Sequence, residues 1–107
     1  MVDHELNELR QEFLDEARGK VEEMQATYAN GGTTAEVLER VAYLAHQLKG
    51  SGGSYGYQQI SDDAAELEKA VESLAGQNGD GAFLDEKIRK HVLNLQNEIE
   101  SAARELA

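Results

Sequence analysis

The chain has 107 residues, no proline and no cysteine, with 10 basic and 21 acidic residues giving a net charge of −11. Its length suits one domain with a single core. Without cysteine there are no disulfides, thiolate nucleophiles or Cys-based zinc sites, and the acidic balance opposes nucleic acid and anionic membrane as partners.

The opening "MVDHELNELRQEF" has no basic segment followed by an apolar run, so it does not read as a signal peptide. No apolar run approaches the roughly 18–20 residues that span a bilayer. A soluble cytoplasmic protein is expected. The acidic residues are spread along amphipathic segments, which suits the solvated outer faces of helices.

Apolar spacing predicts four helices. The first runs from about Asp3 to Tyr28 and places Leu6, Leu9, Phe13, Ala17, Val21, Met24 and Tyr28 on one stripe. Asn30, Gly31 and Gly32 end it, and Thr33 with Glu36 reads as a capping box opening the next helix. That second helix turns Val37, Leu38, Val41, Leu44, Ala45 and Leu48 inward and runs into "KGSGGSYG". The third, about Tyr57 to Ala75, aligns Ile60, Ala64, Leu67, Val71 and Leu74. "GQNGDG", residues 76–81, is a loop. The fourth, about Ala82 to Leu106, uses Leu84, Ile88, Val92, Leu95, Ile99 and Leu106. With no competing strand pattern, the expected fold is an all-α, antiparallel up-and-down four-helix bundle over residues 1–107 as one domain.

Three histidines differ in their settings. At about 100° per residue, the apolar stripe of the second helix is centred well over 100° from His46, which therefore faces outward. On that outward face Lys49 lies about 60° to one side, Gly50 about 40° to the other and Gly53 within about 20°. Each glycine inside a helix costs roughly 0.8–1 kcal/mol relative to alanine. What the glycines offer is close approach of another backbone or a bulky group to the imidazole. A neutral imidazole is a competent nucleophile, and an ammonium one turn away could offset the charge of a phosphoryl group on the ring. His4, at the frayed start of the first helix, and His91, at the edge of the fourth helix's core stripe, read as structural or incidental.

"HQLKGSGGSYG", His46 to Gly56, resembles the signature of the histidine-containing phosphotransfer (HPt) domain. In that signature lysine and glycine follow the histidine at three and four residues, with further glycines at seven and ten. Lys49, Gly50, Gly53 and Gly56 fill those places. The likeness extends over the chain, from a long first helix through a histidine-bearing second to a third starting just after the last glycine. It is similar to standalone HPt proteins and to the N-terminal phosphotransfer domain of chemotaxis histidine kinases.

The resemblance implies a phosphocarrier in a two-component phosphorelay. His46 would carry a phosphoryl group on Nε2, taken from a histidine kinase or a receiver aspartate and passed to a response-regulator receiver. Lys49 would stabilise the phosphate charge. No cofactor is implied on this chain, since Mg²⁺ belongs to the receiver, and the protein is expected to be a monomer without its own ATP-binding or kinase domain. Gln47, Tyr43, Gly50 and Gly53 would form the docking surface, and Gly56 would turn the chain into the third helix.

Glu68, about 80° from the centre of its helix's apolar stripe, has two readings. In chemotaxis-type relatives a glutamate here accepts a hydrogen bond from the histidine's Nδ1–H; alternatively it is a solvated acid near Lys69. Tyr55 and Tyr57 are either core anchors or contact residues, Tyr57 resembling the position that the family packs inward.

Two other classes compete with the carrier. A docking module that binds receivers without phosphotransfer usually lacks the histidine or its lysine, and both are present. Metal binding through His46, His91 and carboxylates lacks H-x-x-x-H or E-x-x-H spacing, because Tyr43 and Ala42 precede His46. Met1 and four full helical stretches favour a standalone protein over a piece of a longer kinase.

Overall fold

The structure is a computed structural model that describes residues 4–106. Among them are four α-helices: α1 (His4–Gly31), α2 (Ala35–Ser54), α3 (Gln58–Ala75) and α4 (Gly81–Leu106). Each packs against its neighbours in sequence, and α4 closes the ring against α1, while the backbones of the diagonal pairs stay further apart. The result is an up-and-down bundle 50 Å long and 22 × 18 Å across. This is the all-α architecture expected from the apolar spacing.

Among the described residues, no polar or charged residue is fully buried, and the core is built of apolar side chains. Leu14 and Met24 of α1, Leu44 and Leu48 of α2, Leu67 of α3 and Ile88 and Leu95 of α4 are all sealed from solvent. Every inward position expected for α2 is buried. Leu74 and Leu106 are only partly buried, packed on the core's edge.

Three details differ from the sequence reading. Leu9 is 46% exposed, and Leu14, absent from the expected stripe, is fully buried. Measured from Ala17, Leu14 lies about 60° to one side round α1 and Leu9 about 80° to the other, so the buried face takes in Leu14 and stops short of Leu9. Helix α1 runs three residues past Tyr28 and stops at Gly32, whose positive φ of 65° suits a residue without Cβ. Its expected start at Asp3 lies outside the described residues. The cap of α2 is Thr34, not Thr33: its backbone is extended and its hydroxyl accepts from Val37 N–H at 3.3 Å. Glu36 consequently lies in the first turn, where its charge complements the helix dipole, and does not close a capping box.

Candidate functional site

Helix α2 continues through Gly50, Gly52 and Gly53 to Ser54. Its end is tied down by backbone bonds from Tyr55 N–H to Ser51, Gly56 N–H to Gly53 and Tyr57 N–H to Gly52. Gly56 reverses the chain with φ of 85°, a conformation that L side chains rarely adopt. Helix α3 therefore returns antiparallel beside the glycine-rich end of α2.

The four glycines do different things. A Cβ at Gly50 would meet nothing within 4 Å, so that space is open to solvent. At Gly52, which is buried, a Cβ would sit 3.2 Å from Ser61 N, 3.3 Å from Ile60 Cγ2 and 3.4 Å from Tyr57 O. Gly52 is what allows α3 to approach α2. The sequence reading gave it no role, since a glycine turned toward a neighbouring helix looks from sequence like any other. Gly53 is exposed, and a Cβ there would rest 3.6 Å from Ser61 Oγ, in ordinary contact.

His46 faces outward, its side chain 65% exposed. Its Nδ1 lies 3.0 Å from Oε2 of Glu68, on α3, and the other carboxylate oxygen accepts from Lys49 Nζ at 3.0 Å. An ionised carboxylate can only accept, so Nδ1 carries the proton and Nε2 presents its lone pair to solvent. Glu68 is only 16% exposed. That partial burial opposes its ionisation, but the hydrogen bonds from Lys49 and His46 outweigh it and hold the carboxyl below its ordinary range. Of the two readings open from sequence, the geometry selects the bond to His46; Lys69 pairs with Glu66 instead, at 3.6 Å.

On the other flank of His46 is a shallow depression lined by Lys20, Gln47, Gly50, Ser51, Ser54 and Tyr55. Lys20, on α1, was missed from sequence. It sits about 60° from Ala17 round the helix, at the border of the buried face, a position many solvated lysines share. Gln47 donates to the hydroxyl of Tyr43 at 2.8 Å, and Arg40, ion-paired with Glu23, lies over the Tyr43 ring at 5.4 Å. Tyr43 remains 52% exposed, so this ordered polar edge is open to contact. Tyr55 and Tyr57 both stack on Phe13, at 5.2 and 5.8 Å between centroids, which makes them anchors between α1 and the α2–α3 turn.

The remaining histidines stand apart from this site. His4 opens α1 and is exposed. His91 is half-buried between α3 and α4, with Nδ1 2.9 Å from Asp63 Oδ1.

An outward imidazole with one nitrogen held by a carboxylate, the other free, and a lysine beside it can take a phosphoryl group. The family model described as Hpt domain matches residues 8–105. The chain belongs to the Hpt domain family. No curated protein and no solved structure matches it. Hpt domains are the histidine phosphotransfer modules of two-component phosphorelays, which interact with kinases and response regulators. The match takes in α2 and α3 entire and nearly all of α1 and α4, and includes the whole of the His46–Gly56 segment. Among the described residues, no helix is long and apolar enough to cross a membrane.

Proposed function

We propose that His46 is the phosphoacceptor of this Hpt domain. It takes a phosphoryl group from a histidine kinase or a phosphorylated receiver aspartate and passes it to the aspartate of a response-regulator receiver. The observation that carries this reading is the pairing of His46 Nδ1 with Glu68, which leaves Nε2 as the free nucleophile on an open surface.

In the forward step the Nε2 lone pair attacks phosphorus, an N–P bond forms, and the P–O bond to the donor breaks with its electron pair leaving on the donor oxygen. The proton on Nδ1 stays on the ring, so the phosphorylated imidazole carries positive charge that the Glu68 carboxylate offsets. Lys49, and Lys20 across the depression, favour the anionic phosphoryl oxygens. The reverse step returns the group by the same geometry. Mg²⁺ belongs to the receiver, and this chain contributes a rigidly held nucleophile. It acts as a carrier without turnover of its own, as a monomer in the cytoplasm. The polar edge of Tyr43 and Gln47 and the open ground at Gly50 and Gly53 form the docking surface.

The test mixes the protein with a receiver domain carrying radiolabelled aspartyl phosphate. Label should pass to the wild type as an acid-labile, base-stable phosphate and fail to pass to His46→Gln. Undiminished transfer to His46→Gln would remove the assignment. Receiver binding with no label on the wild type would point to a docking module instead.

A further inference from the structure

Helix α3 carries a second side chain that reaches the site from behind. Ser61 is seven residues before Glu68, so the two lie within about 20° of each other on one face of α3. On α2 the same interval separates His46 from Gly53. The antiparallel seam thus has two rungs. At one, Glu68 grips His46 Nδ1 and Lys49 Nζ. At the other, Ser61 Oγ donates to the backbone carbonyl of Lys49 at 2.8 Å.

A serine inside a helix usually points to solvent or bonds back to the carbonyl four residues earlier. The hydroxyl crosses to α2 instead, where the buried Gly52 lets α3 come close enough for the bond. Lys49 is consequently held at both ends by α3: its carbonyl by Ser61 and its ammonium by Glu68. A carbonyl oxygen has two lone pairs, so this extra bond needs no break in α2.

We infer that Ser61 is a positioning residue for His46. Its cross-helix bond to the Lys49 carbonyl fixes the register of α3 against α2, so that the Glu68 carboxylate meets His46 Nδ1 and Lys49 Nζ together. Without the bond, the glycine-rich end of α2, weak in helix propensity, is free to shift along α3. The Glu68 contacts then loosen, and the proton on the imidazole redistributes between its two nitrogens. The consequence for transfer rests on the phosphotransfer reading above; the consequence for the imidazole does not.

The experiment compares wild type, Ser61→Ala, Ser61→Thr and Glu68→Gln by ¹⁵N NMR of the His46 ring, with circular dichroism as the check on folding. Ser61→Ala should stay helical and move the His46 nitrogen shifts toward those of Glu68→Gln. Ser61→Thr, which keeps the hydroxyl, should restore the wild-type shifts. Phosphotransfer from a labelled receiver should slow by roughly tenfold in Ser61→Ala and recover in Ser61→Thr, since small displacements of a reacting group carry such costs. Wild-type His46 shifts in Ser61→Ala would overturn the inference, as would a failure of Ser61→Thr to rescue them. If wild type itself takes no phosphate, the phosphotransfer reading falls while the NMR comparison still decides the role of Ser61.

Discussion

At the scale of single residues, the glycines beside His46 separate into two kinds that one pair of substitutions distinguishes. Gly50 has open space where a Cβ would stand, so Gly50→Ala should raise stability by about 0.5–1 kcal/mol through helix propensity. If the open ground serves docking, the same change should slow transfer from a receiver. Gly52 faces Ser61 and Ile60 at 3.2 and 3.3 Å. Gly52→Ala should therefore lower stability despite the better propensity, since overpacking costs about 1–3 kcal/mol. Chemical denaturation reads both signs; a stabilised Gly52→Ala would show that α3 has slack at the turn. Lys49→Ala leaves the backbone bond from Ser61 in place and removes the ammonium from Glu68. It should keep the fold and slow transfer about tenfold, the scale of one charge-assisted hydrogen bond of roughly 1.5 kcal/mol; a wild-type rate would take Lys49 out of the chemistry.

At the scale of elements, the two seams of α3 have opposite characters. Toward α2 it offers Glu68, ionised and bonded to the Lys49 ammonium and to His46 Nδ1. Toward α4 it offers Asp63, which bonds His91 and also contacts Glu98 and Asn94. Burial, then the neighbouring Asp63, pushes Glu98 up to about 8, and its Oε2 is buried without a partner. Burial works against ionisation of Asp63 too, but bonds from Glu98, His91 and Asn94 hold it below the usual range. The sign follows from the protons bound. Folded Glu98 keeps its proton up to about 8, while the unfolded side chain loses it near 4.5. Its contribution to stability is full below 4.5 and lost as pH rises through about 8. Asp63 acts in the opposite sense, its contribution being lost on acidification below its ordinary range. Melting temperature should accordingly fall between about pH 5 and about pH 8, and Glu98→Gln should flatten that slope. An equal slope in the variant would place the titration elsewhere. None of this seam was legible in the sequence, where Asp63 and Glu98 look like two more solvated acids. Pairing across helices depends on which faces meet, and periodicity gives each helix's buried face without its partner's register. The same limit hid Gly52, Ser61 and Lys20. What periodicity does resolve is direction: His46 outward, the α2 stripe inward and Glu68 on a border were all readable from angles alone. The cap of α2 was misplaced by one residue because two consecutive threonines offer the same chemistry, and backbone conformation decides between them.

At the scale of the whole molecule, the bundle separates support from function. The site is drawn from α2 and α3 with Lys20 of α1, whereas α4 contributes core without touching His46. Ile88 of α4 is fully buried, so Ile88→Ala should cost about 2–5 kcal/mol, a large share of the roughly 5–15 kcal/mol typical of a domain. Well below the melting temperature the transfer rate should be unchanged; a slowed reaction at full helicity would mean that α4 shapes the site. The net charge of −11 fits the same division, since most of the acids coat the outer faces while two lysines flank the one outward histidine on α2. The most direct measurement locates the phosphate. In protein phosphorylated by a receiver and labelled with ¹⁵N in histidine, the phosphorus should couple to Nε2 of His46, with Nδ1 still protonated against Glu68. Coupling to Nδ1, or a phosphate found on any other residue, would contradict the account.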